Sequence, residues 1–195
     1  KTALDNGHTK YTPSSGLLSL RKAICEKFEK DNGLTYEPSQ IIVSNGAKHS
    51  IFNACYAILE AGDEVIIPTP YWLTYPEVVK VCGGVVKYLP CKKENKYKFS
   101  AEELKAAITP KTKMIVPVHI GGYPVDMDPI MELAKKHDII VLEDAAHGFG
   151  GSYKGRKLGT IGHFGAYSFH EVKNCTSFGE GGILVTNIPE FRAEA

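Results

Sequence analysis

The chain has 195 residues, 43% hydrophobic and 23% charged, which supplies enough apolar material for one packed domain and too much for a disordered tail. Lys and Arg total 23 against 22 Asp and Glu; the net charge of +1 argues against a nucleic-acid or anionic-membrane binder and for small-molecule chemistry. The longest apolar runs, such as Ile139 to Leu142, fall far short of the ~20 residues of a spanning helix, and no signal segment opens the chain, so neither a membrane nor secretion is expected.

In chain order, Leu17, Leu20, Ile24 and Phe28 recur at helical spacing and predict an amphipathic helix over 17–31, with Ser14 or Ser15 as its cap and Gly33 as its stop. Strand Ile41–Ser44 then runs through the turn Asn45-Gly46 into a helix carrying Ile51, Ala54, Cys55, Ile58 and Leu59 as far as Gly62. Further strands are expected at 64–67, 85–89, 113–118 and 139–143, alternating with helices at 75–81, 101–108 and 129–137. This alternation predicts an α/β fold, a mostly parallel sheet covered by helices on both faces. Beyond Asp144 repeated glycines leave room only for short strands, chiefly 164–169 and 182–186, and turns. No linker, repeat or low-complexity run divides the chain, so residues 1–195 read as a single domain. It starts at Lys1 and its last segment, Pro189 to Ala195, reads as a helix cut off after its opening, so an excised or constructed piece is expected.

The five cysteines are scattered without a C-x-x-C pair, so a reducing cytoplasm is expected and no zinc knuckle. No dinucleotide G-x-G-x-x-G, P-loop, H-E-x-x-H or G-x-S-x-G is present, and the histidines lack metal spacing. In parallel sheets ligands bind beyond the carboxyl ends of the strands, and four segments fall there. Ser44-Asn45-Gly46-Ala47-Lys48 delivers backbone N–H groups at a helix start, an arrangement suited to phosphate that simple turn geometry also produces. Thr69-Pro70-Tyr71-Trp72 places the only tryptophan after a strand, as a core anchor or a stacking platform. Glu143-Asp144-Ala145-Ala146-His147 ends an apolar strand in two carboxylates, which either cap the turn or hold a proton on a ligand nitrogen. Most lysines are solvated surface charges, but Lys173, between the strand ending in Ser168-Phe169 and the glycines 179–182, is placed to act as a nucleophilic amine.

Together these segments resemble the large domain of fold-type I pyridoxal-phosphate (PLP) aminotransferases. The resemblance has two parts. Lys10 to Gly16, Ser44 to Lys48 and Pro70 to Glu77 look like class I aspartate-type aminotransferases; Pro117 to Gly122, Glu143 to His147 and Ser168 to Asn174 look like the DegT/DnrJ/EryC1 sugar aminotransferases. The chain thus looks like a chimera with a joint near 114–118, where His119-Ile120-Gly121-Gly122-Tyr123-Pro124 replaces the class I asparagine-proline motif. The resemblance implies that Lys173 forms the aldimine with PLP, Asp144 pairs with the pyridine nitrogen, Ser168 and the Gly46-Ala47-Lys48 turn hold the phosphate, and Trp72 stacks on the ring. His147, where the sugar family often has Gln, falls near the phenolic oxygen, and Tyr11 matches a tyrosine that reaches a neighbouring subunit's phosphate, implying a homodimer. Amino transfer between a small amino donor and a keto acceptor in two half-reactions is the implied activity; a recombined scaffold that folds and holds PLP without turnover is the alternative. The small domain of family members is not expected here, and none of Arg21, Arg156 and Arg192 lies on a motif that assigns it a substrate carboxylate. Amino acid and nucleotide sugar both stay open as substrates.

Overall fold

The computed structural model describes residues 1–191. After a four-residue helix α1 (Thr2–Asp5) come α2 (Leu18–Asn32), β1 (Ile41–Ser44), α3 (Ala47–Ile58), β2 (Glu64–Thr69), α4 (Thr74–Val81), β3 (Val85–Pro90), α5 (Ala101–Ala107) and β4 (Thr112–Ile115). They are followed by α6 (Met127–His137), β5 (Ile140–Asp144), a small hairpin of β6 (Ser152–Tyr153) and β7 (Arg156–Lys157), then β8 (Phe164–Ser168) and β9 (Gly182–Thr186). Local chemistry accounts for several boundaries. Ser100 and Glu103 form a reciprocal capping box at the start of α5, and Gly33, in the left-handed region at φ 64°, ends α2.

Seven strands form one sheet in the order β1-β9-β8-β5-β4-β2-β3. All neighbouring pairs are parallel except those of β9, which lies antiparallel between β1 and β8. The reversal of β9 leaves β1 running in the same direction as the parallel strands. Side-chain alternation divides the core as a period of two requires. Val65, Ile67, Met114, Leu142, Ala166 and Leu184 face α3 and α4, whereas Ile66, Ile115 and Val141 face α5 and α6. On the latter's side of the sheet, Tyr167, Ile183 and Val185 pack with Ile41 against Phe28 of α2. The expected α/β sheet, mostly parallel and clothed on both faces, is the fold observed.

Two expectations for α2 fail. Neither Ser14 nor Ser15 caps it, because Leu17 occupies the N-cap position and no side chain bonds the free amides. The stripe also shifts: Phe28 and Arg21 are buried, but Leu17 and Leu20 stay 49% and 45% exposed. Helical spacing determines which residues share a face, not how much surface is available to cover them; here that surface is edge strand β1 and the turn Pro38–Gln40. Strand β4 stops at Ile115 rather than 118, since Pro117 has no N–H to donate to a ladder. The expected C-terminal helix begins as a 3-10 turn, Pro189–Phe191, and the remainder lies outside the described residues.

Gly182 is where β9 passes over the start of α3, opposite Ser44 and Ser168. A Cβ at this position would collide with the Gly46 backbone. Gly182→Ala is expected to lower stability by about 3 kcal/mol or more, read as a fall in the denaturation midpoint, because neither backbone can yield without breaking the ladder.

Candidate active site

The carboxyl ends of β1, β2, β5 and β8 all open on the same edge of the sheet. The loops that leave them line a cleft of about 1450 Å³, which contains Gly46, Ala47, Lys48, Trp72, Asp144, His147, Ser168 and Lys173. Eight of the nine sequence-derived site residues therefore meet in one place. The exception is Tyr11, which is fully solvent-exposed and not part of the cleft lining.

Asp144 and Glu143 are adjacent in β5, so the pleat sends them to opposite faces. Asp144 faces the cleft and is 6% exposed; its Oδ1 accepts the Ala146 amide at 2.9 Å and its Oδ2 accepts the phenol of Tyr75. Burial, and then the neighbouring carboxylate, hold the Tyr75 phenol far above its ordinary pKa, so Tyr75 remains a donor. Both Asp144 oxygens keep lone-pair capacity for a further donor. Glu143 is completely buried and has a different task. It accepts Nε2–H of His119 at 2.8 Å and the amides of Gly159, Ile161 and Gly162 at 2.8, 2.6 and 2.5 Å. The expectation of paired acids as one feature thus resolves into one cleft group and one structural anchor.

Helix α3 begins at Gly46, φ 94°, with no side chain capping its first amides. These orphan N–H groups and the positive end of the helix face the cleft, an electrostatic setting for an anion. Across from them, the buried Ser168 hydroxyl accepts the His170 amide at 3.4 Å and has no acceptor of its own among the described residues. Lys48 reaches back with its Nζ 5.6 Å from the ring centroid of Trp72, whose indole is 59% exposed at the cleft mouth. Lys173 is half-buried, and its Nζ lies 2.9 Å from Nε2 of His147, while Nδ1 of His147 accepts the Gly121 amide at 3.2 Å. Glu180 also enters the lining, with Oε1 3.4 Å from Nε2 of His170.

Sequence reasoning missed Tyr75, His119 and Glu180 as site groups. Tyr75 lies in the quoted Pro70–Glu77 motif, but only the packing of α4 against the sheet brings it to Asp144, 69 positions away. Of the arginines, Arg21 is buried and donates to the Pro38 carbonyl, Arg156 pairs with Asp128, and Arg192 lies outside the described residues. Tyr75→Phe removes the partner of a buried carboxylate oxygen, so stability of the cofactor-free protein should drop by about 1–3 kcal/mol in urea denaturation.

Comparisons with known proteins identify the family. The family model for the DegT/DnrJ/EryC1/StrS aminotransferase family matches residues 20–195. The aspartate aminotransferase of Bacillus subtilis (strain 168) is 46% identical over 148 residues, covering 73% of this chain and 38% of that protein. A probable aspartate/prephenate aminotransferase of Rhizobium leguminosarum bv. phaseoli is 50% identical over 114 residues, 58% of this chain and 28% of that one. Among solved structures, the Thermus thermophilus aspartate aminotransferase with maleate superimposes with a TM-score of 0.77 at 32% identity, over 95% of this chain and 51% of that one. The aromatic aminotransferase from Pyrococcus horikoshii OT3 gives 0.80 at 29% identity, over 95% and 53%. The chain thus spans well under half the length of the curated relatives it matches. With the family model covering nearly the whole sequence and the fold shared with fold-type I aminotransferases, the chain belongs to the DegT/DnrJ/EryC1/StrS aminotransferase family and forms an aminotransferase large domain.

Proposed function

We propose that this domain binds pyridoxal 5'-phosphate and carries the amino-transfer chemistry of a PLP-dependent aminotransferase, moving an amino group from a small donor to a keto acceptor in two half-reactions. The observation that carries this reading is the convergence on one sheet edge of an uncapped helix start, an acid, a lysine and a buried hydroxyl. These groups fit the cofactor. The orphan amides of Gly46-Ala47-Lys48 and the Ser168 hydroxyl, which lacks an acceptor, suit a phosphate, and Asp144 has lone pairs left for a protonated ring nitrogen. Trp72 supplies an aromatic face at the cleft mouth. The comparisons favour this reading over a recombined scaffold without turnover.

When bound, the cofactor supplies an electron sink for the carbanion left when a substrate loses its Cα proton. The protein's part is to hold and move protons around it. Asp144, oriented by the Tyr75 phenol and the Ala146 amide, keeps a proton on the ring nitrogen, without which the sink is weak. Lys173 would hold the cofactor through its amine and, when that amine is free, would serve as general base and acid at the substrate's Cα. His147, next to the Lys173 amine, would serve the phenolic oxygen. The location we propose is the cytoplasm; among the described residues no helix is long and apolar enough to cross a membrane.

A homodimer belongs to the same proposal, with Tyr11 reaching the phosphate of the second copy. Its full exposure outside its own cleft is what a residue serving a neighbouring site needs. Light scattering is expected to show a dimer, and Tyr11→Phe to weaken cofactor retention; a monomer that holds the cofactor at full occupancy would refute this part.

The central assignment is tested by borohydride reduction of the protein with pyridoxal phosphate, followed by peptide mass spectrometry. The pyridoxyl group should map to Lys173 and vanish in Lys173→Ala, with Asp144→Ala binding the cofactor more weakly and losing transaminase turnover. A pyridoxyl group on Lys48 instead would overturn the assignment.

A further inference from the structure

The loop after β4 and the turn after β5 each contribute one imidazole, and the two are bonded in the same sense. His119 is fully buried; its Nε2–H donates to Glu143, whose other contacts are all amide donors, and its Nδ1 accepts the Val125 amide at 3.2 Å. A carboxylate only accepts, so this ring must carry its proton on Nε2. His119 therefore closes the loop 119–125 on itself, and its own amide anchors that loop to the Asp144 carbonyl at 3.1 Å. Within the loop Gly121 and Gly122 take positive φ, 60° and 79°, and approach His147 so closely that a Cβ on Gly122 would stand 3.0 Å from its carbonyl oxygen.

The Gly121 amide donates to Nδ1 of His147. A nitrogen that accepts an N–H bond bears no proton, so the proton of the neutral ring lies on Nε2, the atom 2.9 Å from Nζ of Lys173. We propose that His147 is a donor to Lys173, its polarity imposed by Gly121 through the loop that His119 and Glu143 pin, so that Nζ faces the ring as an acceptor. The inference deepens the cofactor reading and rests on it for its significance, since only an unprotonated amine attacks an aldehyde. A lysine ammonium has three donors and no acceptor. It cannot face Nε2–H, so a proton on Nζ and the Gly121–His147 bond exclude each other.

The same logic accounts for why the resemblance places Gln where this chain has His147. An amide turned with its oxygen toward the Gly121 N–H presents its NH₂ to Nζ and preserves the polarity. A carboxylate there would accept from Gly121 and demand an ammonium from Lys173, reversing it. His119 and Gly121 act through His147 and are positioning groups, without direct contact with Nζ.

Two measurements on the full chain without cofactor test this. Long-range 1H–15N correlation of the histidine rings should show His147 with its proton on Nε2. Competitive labelling with acetic anhydride at one neutral pH, read at Lys173 by mass spectrometry, should give His147→Gln a rate within about twofold of the original chain and His147→Glu a rate about tenfold lower. Because His147 is exposed, these substitutions leave the core in place, and a melting curve for each variant checks that. A proton on Nδ1 of His147, or equal labelling in His147→Glu and the original chain, would overturn the inference. The labelling needs no cofactor, so a pyridoxyl group found elsewhere than Lys173 would sink the cofactor reading while leaving this result to stand.

Discussion

A carboxylate withdrawn from water is costly unless each of its oxygens is engaged, and Glu143 meets that condition with four donors drawn from two loops. Three of them, the Gly159, Ile161 and Gly162 amides, shape the turn that leads into β8. The fourth, His119, ties down the loop that follows β4. One side chain at the centre of the sheet therefore holds both the exit from β4 and the entry into β8. Asp144, next in the chain, can be devoted to the cleft because Glu143 has already taken up the structural work on the opposite face.

The strands and helices were largely legible because their signals are local. The apolar runs Val65-Ile66-Ile67 of β2 and Ile140-Val141-Leu142 of β5 and the Gly33 stop of α2 state their conformation within a few residues. The site was legible to the extent that it follows the strand-end rule: Asp144 and Ser168 end their strands, and Gly46, Trp72 and Lys173 come shortly after one. What could not be read is what depends on distant partners. Glu143 finds its donors 16 to 24 positions away in the chain, and Tyr75 meets Asp144 only through packing of α4. The exposed start of α2 belongs here too, since no spacing rule reports how narrow the covering surface is.

Residues far apart in the chain meet in the cleft. Tyr75 and Asp144, 69 positions apart, share a side-chain hydrogen bond. Gly46 and Gly182 likewise pack backbone to backbone. Such long-range contacts are what a single cooperative core requires.

Strand β9 lies between β1 and β8, so the last strand among the described residues is the one that joins β1, which leads into the anion-suited start of α3, to the rest of the sheet. Ile41 pairs with Val185, a separation that no local structure can bridge early. During synthesis from the N-terminus, β1 and α3 leave the ribosome long before their partner, and β8 follows with one edge equally bare. Insertion of β9 must therefore be a late event that satisfies two strand edges at once. A nascent chain halted before residue 182 would leave β1 and β8 each with an open edge for chaperones to shield.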